Sequence, residues 1–319
     1  MLLSRRSFVL ATAASAASLR SGKAQTRTLR IVYPFPAGGS SDSVLRMMAE
    51  HMRTHLGYAV VVENQTGAGG RLALRTVKDA VPDGNTILFA SGAQMFLQPH
   101  LSTKKEYDPF TDFVPIMQTL IIDQVVGVGN DNPAKSVEEL VQHVKANPDV
   151  GSFGSPGIGT QGHFTGAEFA RLAGLDLRHV PYRGTPAALP DLRTGRIGMM
   201  FAAVGELIEQ HRAGAIRILA MASSERSKIF PGIPTFRENK LDIRAPGYFA
   251  FYAPAGTSPE SVKRLQQAVT LALNAADVTE RLASLGVGKS GLADFRALEQ
   301  AEYQRWGDIV RLSGFKPES

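Results

Sequence analysis

Two glycine-rich stretches carry the residues that could do chemistry in this chain of 319 residues. The first, from Pro34 to Asp42, reads PFPAGGSSD, and the second, from Ser155 to Gln161, reads SPGIGTQ. Because glycine has no Cβ, backbone N–H groups in such stretches can approach a ligand closely. If each stretch also begins a helix, its unpaired N–H groups and partial positive charge would stabilise an anion. The chemistry indicated is the binding of a carboxylate.

Other interpretations of the first stretch stay open. Gly38 and Gly39 could form only a tight connection from a strand to a helix, with no ligand. Asp42 would repel a bare anion by about 1 kcal/mol at surface dielectric. As a first-turn acid it could instead stabilise the helix dipole, or it could meet an ammonium or hydroxyl group of the ligand.

The second stretch has an enzymatic alternative. Residues Gly157 to Gly162 match the dinucleotide pattern G-x-G-x-x-G, which is compatible with an exported NAD(P)-dependent oxidoreductase. The next strand ends in Tyr182 and Arg183, however, with no acid that could hold a ribose. We therefore expect no cofactor.

Residues typical of catalytic and metal sites are scarce. The absence of cysteine excludes disulfides, thiolate metal sites and cysteine nucleophiles. His51 and His55 are spaced i, i+4 but lack a third ligand, so we expect no metal. Ser155 lacks the first glycine of a nucleophile elbow, and no catalytic residue is expected.

Two further side chains have two interpretations each. His163 lies in the first turn of the helix after the second stretch, where it could face a ligand or stiffen the loop. Arg183 could bind a ligand carboxylate with bidentate geometry or form a salt bridge at the edge of a lobe.

Short apolar strands that alternate with amphipathic helices would position these stretches. Strands are predicted at 29–33, 59–63 and 86–90, with helices that end at Gly57 and that span 71–80. Such alternation predicts parallel pairing in a doubly wound sheet, whose ligands bind at the carboxyl ends of the strands. Three loops would converge there: Pro34–Asp42, Asn64–Gly70 and Ser91–Ala93.

A second unit with the same alternation is predicted from about Val125. It has strands at 150–154, 178–182, 197–202 and 216–221, and a helix over 161–173 that ends at Gly174. The aromatic run from Gly247 to Tyr252 would cross back to the first unit, and the helices after Ser258 would cover the first sheet. The fold class is thus α/β, with two doubly wound lobes joined by a two-segment hinge. We predict lobe 1 at 25–124 plus 247–319 and lobe 2 at 125–246.

Residues 1–24 are predicted to be a twin-arginine-like signal peptide. Arg5 and Arg6 precede an uncharged run from Phe8 to Leu19 and a small-residue cleavage pattern. Removal of this segment lowers the formal net charge from +6 to +2, so the high pI is weak evidence for nucleic-acid binding. No other run reaches the roughly 18 apolar residues that span a bilayer. We expect an exported mature chain that binds no nucleic acid and does not insert stably into a membrane.

Several motifs occur together in a characteristic order: PFPAGGSSD from Pro34, VVEN with GAGG to Gly70, PDG from Pro82, YDP from Tyr107, GSPGIGT from Gly154 with His163, VPYRG from Val180 and FYAPAGT from Phe251. In this order and spacing they resemble the Bug-type periplasmic receptors of tripartite tricarboxylate transporters. The resemblance covers nearly the whole mature chain.

The resemblance implies a Venus-flytrap receptor, expected as a monomer, that delivers a small carboxylate to the membrane components of a transporter. It implies binding mostly through main-chain N–H groups and ordered waters. A ligand-sensing receptor for a signalling partner would have the same pocket and remains an alternative. The residues expected at the ligand are Phe35, Pro36, Ala37, Gly38, Gly39, Ser40, Asp42, Ser91, Gly92, Ala93, Ser155, Gly157, Gly159, Thr160, His163, Tyr182, Arg183, Phe201 and Ala202.

Overall fold

A computed structural model describes residues 27–243 and 245–316, so the predicted signal peptide lies outside the described residues. The strands are β1 (Thr28–Tyr33), β2 (Ala59–Asn64), β3 (Thr86–Ser91), β4 (Phe113–Gly129), β5 (Ser152–Ser155), β6 (Arg178–Pro181), β7 (Met199–Ala203), β8 (Ile216–Met221), β9 (Pro246–Pro254) and β10 (Gly288–Leu292). The α-helices are α1 (Ser40–Leu56), α2 (Arg71–Lys78), α3 (Val137–Ala146), α4 (Gln161–Ala173), α5 (Thr185–Arg193), α6 (Val204–Arg212), α7 (Pro259–Leu273), α8 (Ala276–Leu285) and α9 (Arg296–Leu312).

The strands follow the order β2-β1-β3-β9-β4-β7-β5-β6, and β8 and β10 also pair with β4. Pairing is parallel between β1 and its neighbours β2 and β3, and between β5 and its neighbours β6 and β7, as predicted. The strands β4 and β9, by contrast, are antiparallel to their partners. The sheet is therefore mixed, because these two long strands run between the lobes instead of returning through a crossover helix.

Two lobes meet along β4. Its first part, Phe113 to Asp123, pairs with β9, and its second part, Gln124 to Gly129, pairs with β7 and β8. The chain returns where the Ala245 N–H donates to the Ala222 carbonyl, just before β9. Two α/β lobes joined by two segments confirm the predicted architecture, while the exact lobe boundaries stay a prediction.

Helices cover both faces of the first lobe's sheet. Helix α1 buries Val44, Leu45 and Met48 against the same hydrophobic cluster that holds buried side chains of α7 and α8. On the opposite face, α9 buries Trp306 with Phe295. Each such side chain contributes about 1.5–3 kcal/mol on full burial. The prediction that the C-terminal helices cover the first sheet is confirmed.

The helix ends agree closely with the sequence. Helix α1 ends at Gly57, which is left-handed at φ +74°, and α4 ends at Gly174, at φ +63°. The Ser258 side chain caps α7 by accepting from the Ser261 N–H. The strand β10 was not predicted, because its sequence GKSGL has two glycines and no alternation of apolar residues.

Candidate functional site

The loop before α1 is held from inside by a buried carboxylate. Asp42 is only 3% exposed. Its oxygens accept hydrogen bonds from Gly38 N (3.1 Å), Arg46 Nε (3.0 Å) and Asn64 Nδ2 (2.9 Å). Burial opposes ionisation of Asp42, but these bonds outweigh it and lower its pKa. The charge of Asp42, which was expected to repel a ligand anion, is therefore balanced by Arg46 and by the hydrogen bonds of its neighbours.

The same interactions tie the first two loops together. The amide Nδ2 of Asn64, at the end of β2, also donates to the Phe35 carbonyl (3.0 Å), and its Oδ1 accepts from Arg46 Nη2 (2.6 Å). The Phe35 ring packs 5.7 Å from Phe249 and 5.4 Å from Tyr33. The hydrogen-bonding role of Asn64 was missed, since its side chain meets Asp42 only after β1 and β2 pair.

Part of the first loop lies at the surface. Pro36, Ala37 and Gly38 are exposed. No acceptor among the described residues lies on the N–H groups of Gly39 and Ser41, which are at the start of α1. Gly38 has φ +91°, a conformation that favours glycine.

The third loop of the first lobe is organised by two glutamines that sequence reasoning missed. The N–H and hydroxyl groups of Ser91 both donate to Gln94 Oε1, at 3.1 and 3.0 Å. Gln98 is buried and its Nε2 donates to the carbonyl of Gly159 in the second lobe (3.1 Å). Both glutamines lie in an otherwise apolar run, AQMFLQ, and this exception was the sequence feature that could have indicated their role.

Two further predicted residues, Gly92 and Ala93, lie where this third loop begins a helical turn. A Cβ on Gly92 would lie 2.7 Å from the Tyr248 ring, so only glycine fits against that ring. Ala93 begins a short π-helical turn, Ala93–Leu97, that follows directly.

Side chains of the second lobe's loop are turned inward to hold its shape. The Ser155 hydroxyl is fully buried, donates to the Gly157 carbonyl (2.9 Å) and lies 2.7 Å from His179 Nε2. Thr160 donates to the same carbonyl (2.8 Å), and its oxygen accepts from the His163 N–H at the start of α4. Both hydroxyls are therefore engaged within the loop itself.

His163 supports this loop as a neutral ring. Its Nδ1 accepts a hydrogen bond from the Gly159 N–H (3.2 Å), which leaves the ring proton on Nε2. The ring stacks on His179 with centroids 4.0 Å apart. Burial lowers the pKa of His163 to about 4, and burial together with His163 lowers the pKa of His179 to about 3. This geometry favours the interpretation in which His163 stiffens the loop.

Four other residues were expected at the ligand, and the structure gives their side chains other surroundings. The Tyr182 hydroxyl donates to Asp191 Oδ2 (2.8 Å), and burial with this contact raises its pKa to about 12. Arg183 is exposed and forms no ion pair with the described residues. Phe201 and Ala202 are fully buried in the hydrophobic core of the second lobe, so their side chains do not line a cleft.

A second cross-lobe contact lies at the start of α1. Oε1 of Glu206, in the first turn of α6, accepts from the Ser40 N–H (3.1 Å) and from the Ser40 hydroxyl (2.6 Å). Glu206 was not predicted, because α6 was not recognised as a helix that follows β7. With the contact between Gln98 and Gly159, it joins the two lobes at the predicted loops.

Two cavities lie elsewhere. One of about 230 Å³ is lined by residues of α4 and α9, including Phe164 and Trp306, and one of about 370 Å³ lies beside β6, next to Tyr182. Neither lies where the three loops of the first lobe meet. Within 27–243 and 245–316, no three metal-ligating side chains cluster, and no helix has both the length and the hydropathy of a membrane span.

This arrangement can be compared with known proteins. A family model described as "Tripartite tricarboxylate transporter family receptor" matches residues 44–315. The chain belongs to this receptor family. Protein BugT of Bordetella pertussis is 30% identical, over 96% of this chain and 95% of BugT.

Two solved structures are also similar. The periplasmic binding protein BugD is 30% identical, with a TM-score of 0.84 over 91% of this chain and 98% of BugD. MatC from Rhodopseudomonas palustris, solved with bound malate, is 30% identical, with a TM-score of 0.82 over 90% of this chain and 99% of MatC. The expectation of a Bug-type receptor is confirmed. The receptor is a periplasmic solute-binding protein that works with the membrane components of a tripartite transporter.

Proposed function

We propose that this receptor captures a small carboxylate between the loop before α1 and the loop before α4. The observation that carries the proposal is the presence of two helix starts, one in each lobe, whose loops are rigidly held by their own side chains. Asp42 and Asn64 hold the first loop, and Ser155 and Thr160 hold the second. Preorganised N–H donors at helix starts favour anions, and malate bound to MatC is consistent with this ligand class.

In this proposal, the ligand binds mainly to backbone N–H groups. Gly39 would approach the ligand most closely, since it has no side chain and no acceptor among the described residues lies on its N–H group. Ser155, Tyr182, Phe201 and the other inward-facing predicted residues would support the site without touching the ligand. A micromolar ligand requires about 8 kcal/mol of net binding free energy, which calls for contacts from both lobes.

Export and assembly complete the proposal. The twin-arginine route, directed by residues 1–24, and a monomeric mature chain are both proposed here. A signalling role would use the same pocket, so the membrane transporter and a signalling partner can be distinguished only by identifying which protein the loaded receptor contacts.

The direct test is calorimetric titration of the mature chain, from Gln25 onward, with a panel of small carboxylates. We expect at least one carboxylate to bind, and its amide, which lacks the negative charge, to fail. Native mass spectrometry of the purified protein shows whether a molecule is already bound. Absence of binding across the panel, or a tightly bound nicotinamide or flavin, would contradict the proposal.

A further inference from the structure

We propose that Glu206 is a specificity-determining residue, which makes the receptor prefer carboxylates that carry a hydrogen-bond donor, a hydroxyl or an ammonium group, over ligands with a second carboxylate at that end. The inference rests on the proposed function and deepens it, because it assigns the group of the ligand that faces the start of α1.

Glu206 lies against the start of α1. Its Oε1 lies 2.6 Å from the Ser40 hydroxyl and 3.1 Å from the Ser40 backbone N. A Cβ built on Gly39 would be only 3.5 Å from the same oxygen. A carboxylate of the second lobe therefore already occupies part of the helix start that a ligand anion would use.

The carboxylate of Glu206, unlike that of Asp42, has no counter-ion among the described residues. Asp42, in the same loop, has Arg46 as a counter-ion at 3.0 Å. Glu206 has no basic partner among the described residues, and its hydrogen bonds come from Ser40 alone. Two arginines, on α8 and on α6, are engaged elsewhere: Arg281 pairs with Glu209 at 3.5 Å, and Arg212 donates to the Ser284 carbonyl at 2.8 Å. Among the side chains at the start of α1, Glu206 thus leaves one formal negative charge without a counter-ion.

The opposite side of the cleft differs in charge. Helix α4 has no acidic residue in its first turn, and His163 in that turn accepts a hydrogen bond from the Gly159 N–H. A ligand carboxylate is therefore better placed near α4, while a donor group suits the Glu206 side. A second carboxylate next to Glu206 would be repelled, because like charges at short range disfavour each other even at moderate dielectric.

The test compares the wild-type receptor with Glu206→Gln by calorimetry. The probes are linear acids that end in a second carboxylate, an ammonium or a hydroxyl group: succinate, 4-aminobutyrate, 4-hydroxybutyrate and their five- and six-carbon homologues. Glutamine keeps an oxygen that can accept from Ser40 but removes the charge. We expect the affinity ratio of diacid to amino acid to rise at least about tenfold in the variant, which corresponds to about 1.4 kcal/mol.

Ser40→Ala is the matched control, because it removes a hydrogen bond between the lobes and leaves the charge of Glu206 in place. It should change the affinity of all probes by a similar factor. If Glu206→Gln also changes all probes equally, Glu206 only bridges the lobes and the inference is wrong, although the proposed function stands. If the wild type binds no carboxylate, the proposed function fails and this inference with it. Glu206→Ala carries the same expectation, and thermal unfolding checks that each variant folds.

Discussion

At individual residues, whether a charge is balanced depends on partners that can lie far away in the sequence. Asp42 is four residues from Arg46, a contact that helical spacing predicts, but 22 residues from Asn64. Together these partners change Asp42 from a repulsive neighbour of the ligand into the residue that orders the loop. Glu206, in contrast, retains a charge beside the same helix start.

Replacement of Asp42 by asparagine should therefore destabilise the protein. The uncharged amide would leave Arg46 without its counter-ion and the Gly38 N–H without an ionised acceptor, and we expect a loss of about 1–3 kcal/mol. Urea unfolding measures it. Asp277→Asn is the control, because Asp277 meets His51 at the surface and should change stability by less than about 1 kcal/mol. Unchanged stability of the Asp42 variant, with weaker binding of ammonium ligands alone, would instead favour direct contact with the ligand.

A buried acid in the first lobe should make stability depend on pH. Glu299 is fully buried, and burial raises its pKa to about 7 even though Arg296 lies 2.9 Å away. Because the folded state holds this proton more tightly than the unfolded chain, the contribution is fully present below the ordinary pKa of glutamate and is lost as the pH rises to about 7.

Glu299→Gln removes this proton linkage. We expect the variant to gain about 1–3 kcal/mol of stability relative to wild type on going from pH 4.5 to pH 8, because a tenfold difference in proton affinity between the folded and unfolded states corresponds to about 1.4 kcal/mol. Chemical denaturation at both pH values measures the difference. If the two proteins showed parallel pH profiles, Glu299 would not be the responsible group.

At the level of elements, the two ends of α4 have different tasks although both use a left-handed glycine. Gly159 precedes the helix at φ +73° and Gly174 follows it at φ +63°. A Cβ on Gly159 would lie 2.5 Å from Leu101 Cδ1 in the first lobe, whereas a Cβ on Gly174 has no atom within 4 Å. One end is thus constrained by the opposite lobe and the other only by its own backbone.

This difference allows a paired test. Alanine at either position should cost about 1–2 kcal/mol of stability through its left-handed backbone. Only Gly159→Ala should also weaken ligand binding, by about tenfold or more, because the added methyl group keeps the lobes apart. Thermal unfolding and calorimetry on both variants separate the two effects. Equal ligand affinity in the two variants would show that Gly159 does not limit closure.

For the whole molecule, closure depends on two chain segments and on the contacts between the lobes. The strand β4 changes partners between Asp123 and Gln124, and cross-lobe bonds occur at Gly159, Ser40, Glu209 and Arg212. Two connecting segments allow a hinge, and a ligand that contacts both lobes would stabilise the closed arrangement further.

A saturating carboxylate should therefore make the molecule more compact and more stable. We expect a smaller radius of gyration in X-ray scattering, and a gain of about 2.7 kcal/mol at a ligand concentration a hundredfold above Kd. The amide of the same ligand is the control and should change neither quantity. A ligand that binds without any compaction would indicate that the lobes are already closed in the free protein.

The sequence was sufficient for features that depend on local interactions. Helix ends at Gly57 and Gly174, the cap at Ser258, and the two glycine loops all follow from neighbouring residues, and the motifs in their order indicated the family. Such features need only backbone sterics and capping hydrogen bonds within a few residues.

Only the tertiary structure revealed which side chains join the two lobes. The hydrogen bond between Ser40 and Glu206 joins residues 166 positions apart, and that between Gln98 and Gly159 joins residues 61 apart. No periodicity or capping pattern encodes such pairs, because they form when the two lobes pack. For the same reason Phe201, expected at the ligand, lies in the core, and Glu206, which no pattern marked, stands at the start of α1.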